Sequence, residues 1–198
     1  MKPVVVVYGT REGHTRRIAE RVADDFSARG VKADLIDARK LPENFSLENY
    51  SAAIVAASVH RQQHEGEIVD FVKRRLDELQ RIPSIFLSVS LTQASVEDPA
   101  APMARRAQAS ADVQRMIDRF LAETGWLPSK VKPVAGALMY SKYNFILRFI
   151  MKRIAASAGG STDTSRDHIY TNWASLDQMA EEFLPAIATV QSSPVQAR

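Results

Sequence analysis

The sequence contains no cysteine, which removes disulfides, thiolate metal sites, iron–sulfur clusters and a cysteine nucleophile from consideration. No apolar run approaches the roughly 18 residues that a membrane-spanning helix needs. The N-terminus enters an apolar strand after only Lys2 and Pro3, without signal-peptide architecture. The chain is therefore expected in the cytoplasm, with any membrane contact peripheral, on the inner face of the cell membrane. Charge of one sign is also scarce: 26 Lys and Arg against 23 Asp and Glu leave a net charge of +3. The pI near 9.3 does not make nucleic acid an expected partner, because the basic residues are scattered among acidic ones, as on a solvated face. The four histidines are His14, His60, His64 and His168. His60 and His64 have the i, i+4 spacing of a helical metal pair, but they fall in a loop, where histidines are usually solvated, and no metal is expected.

What is present is 45% apolar and 25% charged residues over 198 positions, which suits one globular domain with room for an elaboration. Val4–Tyr8 is a run rich in β-branched residues, as in a strand buried on both faces of a parallel sheet. Ile18, Ala19, Val22, Ala23 and Phe26 then recur at helical spacing until Gly30 stops the helix. Val31–Ile36 and Ala52–Ala57 read as the second and third strands. Ile68, Val69, Val72, Leu76 and Leu79 mark the second helix, and Ser84–Val89 the fourth strand. Between Ser90 and Gln108 the chain turns polar, carries Pro99 and Pro102, and reads as a long loop. Val113, Met116, Ile117, Phe120 and Leu121 define a third helix ending near Gly125, and Val131–Leu138 a fifth strand. The alternation predicts an α/β fold with a mostly parallel sheet and right-handed crossovers. Ligands of such sheets sit beyond the carboxyl ends of strands, where strand order reverses.

The loop Thr10-Arg11-Glu12-Gly13-His14-Thr15 lies at that end of the first strand and opens the first helix. A phosphate monoester needs converging donors, and a helix N-terminus supplies backbone N–H groups with a favourable dipole. The Thr10 and Thr15 hydroxyls add donors, while Gly13 allows close backbone approach. The same residues also suit a polar turn with a threonine N-cap. The loop is neither a Walker loop nor a G-x-G-x-x-G fingerprint, which points away from a dinucleotide.

Thr10-x-x-Gly13-x-Thr15 after Val4–Tyr8 resembles the flavodoxin phosphate loop, which usually reads S/T-x-T-G-x-T. Glu12 stands where the second threonine is usual, and is expected to turn outward or to cap the first helix. A longer series is similar to a narrower family, the flavodoxin-like, quinone-dependent protoporphyrinogen IX dehydrogenases of bacteria. It comprises Tyr8-Gly9-Thr10-Arg11-Glu12-Gly13-His14-Thr15, Ala57-Ser58-Val59-His60, Pro83-Ser84-Ile85-Phe86-Leu87-Ser88-Val89-Ser90-Leu91 and Ala135-Gly136-Ala137-Leu138. Tyr140-Ser141-Lys142-Tyr143, Gly159-Gly160-Ser161-Thr162-Asp163-Thr164 and Tyr170-Thr171-Asn172-Trp173 complete it. The first loop is specific only to flavodoxins; the stretch from Tyr140 to Trp173 carries the narrower likeness. The resemblance implies a doubly wound sheet of five parallel strands in the order 2-1-3-4-5, with an inserted helix after the fifth strand. It implies FMN as cofactor, a porphyrinogen substrate and a membrane quinone as electron acceptor. The implied cofactor contacts are Thr10, Arg11, Glu12, Gly13, His14 and Thr15 for the phosphate, then Ser58, Val59, His60, Ser88, Val89, Ser90 and Leu91 for the flavin ring.

Residues 1–190 read as one domain, with 141–172 as the family-specific insertion and 191–198 as a disordered tail. Within the insertion, Tyr143–Ala156 has a wide apolar face and a cationic rim. Tyr143, Phe145, Arg148, Phe149 and Lys152 could form ordinary core, or could meet substrate or membrane. Two rivals use the same fold: another FMN quinone or small-molecule reductase, and a flavodoxin acting as an electron carrier. Carriers are typically acidic and sandwich the flavin between aromatics. This chain is basic, and its ring loops carry no aromatic besides His60. No side-chain nucleophile or catalytic base is identifiable.

Overall fold

A computed structural model of the chain describes residues 2–142 and 163–192. The central sheet runs β2-β1-β3-β5-β6, from β1 (Val4–Gly9), β2 (Ala33–Asp37), β3 (Ala52–His60), β5 (Ser84–Ser90) and β6 (Lys130–Ala135). All four pairings along this path are parallel. With the short β4 (Gln63–His64) set aside, this is the expected 2-1-3-4-5 order. Val4, Val5, Val6 and Val7 are all fully buried, because helices cover both faces of the sheet. Each such side chain contributes about 1.5–3 kcal/mol relative to exposure.

Helix α1 (His14–Ala28) buries Ile18, Ala19, Val22, Ala23 and Phe26 against Val4 and Val6 on one face. It ends in a Schellman motif: Val31 N–H donates to the Phe26 carbonyl and Gly30 N–H to that of Ser27, both at 3.0 Å. Gly30 sits at φ 80°, where a side chain is disfavoured. The last helix, α6 (Trp173–Ser192), lies beside α1 and adds Leu176, Met179, Ala180 and Phe183 to the same cluster. On the other face, Val5 and Val7 meet α2 (Gly66–Arg74), α3 (Leu76–Leu79) and α5 (Met103–Thr124) through Phe71, Val72, Leu79 and Phe120.

Three local expectations need correction. The stretch Ser90–Gln108 is largely helical: α4 spans Leu91–Glu97 and α5 begins at Met103. Ser90 Oγ accepts from Gln93 N–H to start α4, and Pro102 stands at the N-cap of α5, so the prolines separate two helices. The first turns of α5 are exposed from Met103 to Gln108 and show no apolar stripe, although Ala, Arg and Gln favour helix. Second, β3 runs on to His60 and turns back through Arg61 and Gln62 into β4, pairing Val59 with His64 and His60 with Gln63. Third, the fifth strand breaks at Gly136. There the chain leaves the main sheet, and β7 (Ala137–Leu138) pairs with β8 (His168–Ile169) in a separate antiparallel ribbon. Gly136 N–H donates to the Ser90 carbonyl at 3.0 Å. The ribbon encloses residues 139–167, most of the expected insertion. Its inner part, with Tyr143, Phe145, Arg148, Phe149 and Lys152, lies outside the described residues, as do residues 193–198 of the expected tail. The Asp167 carboxylate accepts from Ser141 N–H at 2.8 Å and its hydroxyl at 2.7 Å, tying together the described ends of the expected insertion.

Candidate functional site

At the carboxyl end of β1 the chain passes Gly9 and turns through Thr10–Gly13 into α1. A Cβ on Gly9 would lie 2.6 Å from Ile68 Cγ1, so only glycine lets α2 pack against this strand end. Thr10 Oγ1 accepts from Gly13 N–H at 3.0 Å, which folds the loop back on itself and keeps the hydroxyl proton available. Gly13 is the N-cap, at φ 90°, and no side chain caps the helix; Glu12 takes no capping role. The N–H groups of His14, Thr15 and Arg16 have no intrahelical partner by position, the first such bond running from Arg17 N–H to the Gly13 carbonyl. Nothing lies within 4 Å of a Cβ built on Gly13. Free donors, a positive helix end and an open glycine together form a cradle that fits a phosphate dianion.

The loop is braced from three sides. The Arg11 guanidinium donates to both oxygens of Glu65, at 3.2 and 3.1 Å, and the Glu65 side chain is only 3% exposed. Arg39, just after β2, donates to the Thr10 carbonyl and, at 2.7 Å, to Glu67. His14 is buried, with Nε2 2.7 Å from Thr171 Oγ1. The Thr171 hydroxyl spends its proton on the Ala135 carbonyl at 2.6 Å, so Nε2 must be the donor and His14 the neutral Nε2–H tautomer. Its Nδ1 is buried without a partner. Burial, with the nearby Arg17 charge, lowers its pKa to about 4. His14 thus joins the start of α1 to the chain at Thr171, just after β8.

The remaining expected residues divide. Ser58, Val59 and His60 belong to β3 itself and are half-buried. His60 lines an open hollow of about 720 Å3 together with Thr10, Arg11, Glu12 and Gly13. Ser88, Val89 and Ser90 are buried at the end of β5 and do not line this hollow. The Ser88 hydroxyl pairs with His64 Nε2 at 2.9 Å, and that of Ser90 starts α4. Leu91 packs on Leu138 and Tyr140. His64, expected in a solvated loop, is 8% exposed and packs against the stacked pair Phe86 and Phe120, with ring centroids at 5.1 and 4.9 Å. Burial lowers its pKa to about 4.

Sequence reasoning missed Tyr8, Arg16, Asp37, Arg39, Arg61 and Lys142, which complete the hollow. Asp37 and Arg39 were detectable by their place at the carboxyl end of the second strand; Arg61 was not, because no turn signature marks its hairpin. Among the described residues no group of three or more His, Asp or Glu is placed to hold a metal, and no helix is long and apolar enough to cross a membrane.

A family model described as a flavodoxin domain matches residues 5–165. The protoporphyrinogen IX dehydrogenase [quinone] of Escherichia coli K12 is 30% identical over 178 residues, covering 90% of this chain and 92% of that one. The Leishmania major protein of the same name is 28% identical over 191 residues, covering 96% of this chain and 78% of its own. Among solved structures, the rubredoxin oxygen:oxidoreductase of Desulfovibrio gigas superposes with a TM-score of 0.52 at 12% identity. That likeness covers 98% of this chain and 38% of the other, and it bears on the fold alone.

Proposed function

The chain belongs to the flavodoxin domain family and, within it, to the quinone-dependent protoporphyrinogen IX dehydrogenases, and from that premise we propose that it dehydrogenates protoporphyrinogen IX to protoporphyrin IX with FMN as cofactor and a quinone as acceptor. The observation that carries this reading is the cradle at the end of β1, built for one terminal phosphate and lacking a dinucleotide fingerprint. When bound, FMN supplies the redox chemistry between porphyrinogen and quinone. The protein's own part is binding and placement. Thr10, Gly13, His14 and Thr15 would hold the phosphate. Arg11 contributes by fixing the loop to Glu65, and Glu12 lines the hollow. Ser58, Val59 and His60 would flank the ring. Ser88, Val89 and Ser90 support that region from the buried end of β5, and Leu91 from the start of α4.

The apolar and cationic positions Tyr143, Phe145, Arg148, Phe149 and Lys152 we assign to contact with the substrate or with a membrane surface. An amphipathic segment with a basic rim suits anionic headgroups, and a peripheral position on the inner face of the cell membrane brings the site to its quinone.

Gly13→Asp tests the cofactor site. It places a side chain at φ 90° and a negative charge in the cradle, so FMN binding, followed by quenching of flavin fluorescence, is expected to be abolished. Wild-type protein is expected to take FMN in preference to FAD. FMN affinity retained in the variant means the phosphate sits elsewhere.

A further inference from the structure

The hollow beside the phosphate loop carries more positive charge than a single phosphate needs, and its cations are differently employed. Arg39 is committed to Glu67 and the Thr10 carbonyl, and Arg16 pairs with Glu20 one helical turn on, at 2.8 Å. Arg61 and Lys142 also line the hollow; neither is within ion-pair distance of a described carboxylate, although the Asp167 carboxyl, held down against its burial chiefly by its bonds from Ser141, also feels the Lys142 charge. The acidic groups in the same lining are Glu12 and Asp37; Asp37 already accepts from Arg39 N–H at 2.9 Å.

Arg61 occupies a position that disfavours an arginine. It and Gln62 are the central residues of the two-residue turn between His60 and Gln63, at φ 50° and 63°. Both angles lie in the left-handed region, where Asn-Gly is the unstrained choice for such a turn. The hairpin instead keeps two long polar side chains at its tip. Arg61 lines this hollow, and Gln62 lines a second one of about 280 Å3 beside α2 and α5. Backbone strain of this kind clusters at functional sites.

We propose that Arg61 and Lys142 anchor the carboxylate side chains of the tetrapyrrole substrate, an inference that rests on the dehydrogenase reading above. Propionates are ionised at neutral pH, arginine grips a carboxylate through a planar fork, and lysine adds a compact charge. The two cations come from separate parts of the chain, the β3–β4 hairpin and the segment after β7, so together they fix orientation as well as attraction. The hollow is open to solvent and takes in the cofactor cradle as well as these two cations. His60 and the phosphate loop share its lining, which puts the anchored carboxylates beside the cofactor site.

The test uses FMN-loaded protein at fixed, modest salt, since screening hides such contacts. Arg61→Gln, Lys142→Gln and the double variant are titrated with protoporphyrin IX, the stable product, and with its dimethyl ester, following porphyrin fluorescence. The double variant is expected to weaken diacid binding by about tenfold, to bind the diester as wild type does, and to keep FMN affinity within about twofold. Arg61→Gly is expected to weaken diacid binding while raising Tm by about 2–4 °C, because glycine relieves the left-handed backbone. Diacid affinity unchanged in the double variant, with wild-type turnover of protoporphyrinogen, overturns the anchors alone. FMN affinity that falls in parallel overturns them too, by assigning the cations to the cofactor phosphate. Wild-type protein that binds neither porphyrin form and leaves protoporphyrinogen untouched overturns the anchors together with the dehydrogenase reading.

Discussion

His14 and His64 are both held neutral by burial, with pKa values lowered to about 4 from the ordinary 6.5. Between those values the unfolded chain binds protons that the native protein refuses. Their contribution to stability is therefore complete above about pH 6.5, and is lost progressively as pH falls toward 4. By pH 5 the loss is about 1–2 kcal/mol per histidine. The apoprotein's urea midpoint is accordingly expected to drop between pH 7.5 and pH 5. Replacing both histidines by Gln should flatten that dependence over this window, and an unchanged slope in the double variant would mean that other groups carry it. At this scale the sequence was legible where chemistry is local: Thr10, Gly13 and Thr15 form a short motif whose geometry follows from a strand–helix junction. It was illegible where a residue's setting depends on distant partners. Nothing near His64 in the chain announces Ser88, Phe86 and Phe120, and nothing near His14 announces Thr171.

Among the elements, strands and helices with strong periodicity were readable, whereas those whose role is to bridge or brace were not. The exposed start of α5 has no apolar stripe to detect. The β3–β4 hairpin lacks the Asn-Gly signal, so its tip reads as an ordinary polar loop. Yet this hairpin leads into Glu65, whose buried carboxylate receives Arg11 and ties the Thr10–Gly13 loop to the start of α2. Glu65→Gln keeps the shape and removes the charge. Because Arg11 is about half exposed (54%), solvent screens the pair, and the expected loss of stability is only about 1 kcal/mol. FMN affinity should fall several-fold as the loop loses its brace. A double-mutant cycle with Arg11→Gln, read by urea unfolding and FMN titration, isolates the pair. Additive effects in both readouts would show that the brace is incidental.

For the molecule as a whole, the alternation of strands and amphipathic helices was enough to reach the sheet and its order, since parallel strands must be joined by covering helices. Function was legible only through resemblance. The Thr10–Thr15 loop, with Glu12 within it, resembles that of flavodoxins in general, and the narrower likeness rests on Tyr140–Trp173. The structure adds to that resemblance a physical layout: a cradle at the end of β1, a clamp from His14 to the returning chain, and a cationic hollow alongside. The proposed role of the whole assembly is that of a dehydrogenase and not of an electron carrier. Anaerobic incubation of the FMN-loaded protein with protoporphyrinogen IX, with and without menadione or a ubiquinone analogue, tests this most directly. The account predicts catalytic appearance of protoporphyrin fluorescence with quinone, and no more than stoichiometric oxidation without it. FMN-loaded protein that leaves protoporphyrinogen unoxidised in the presence of quinone would contradict it.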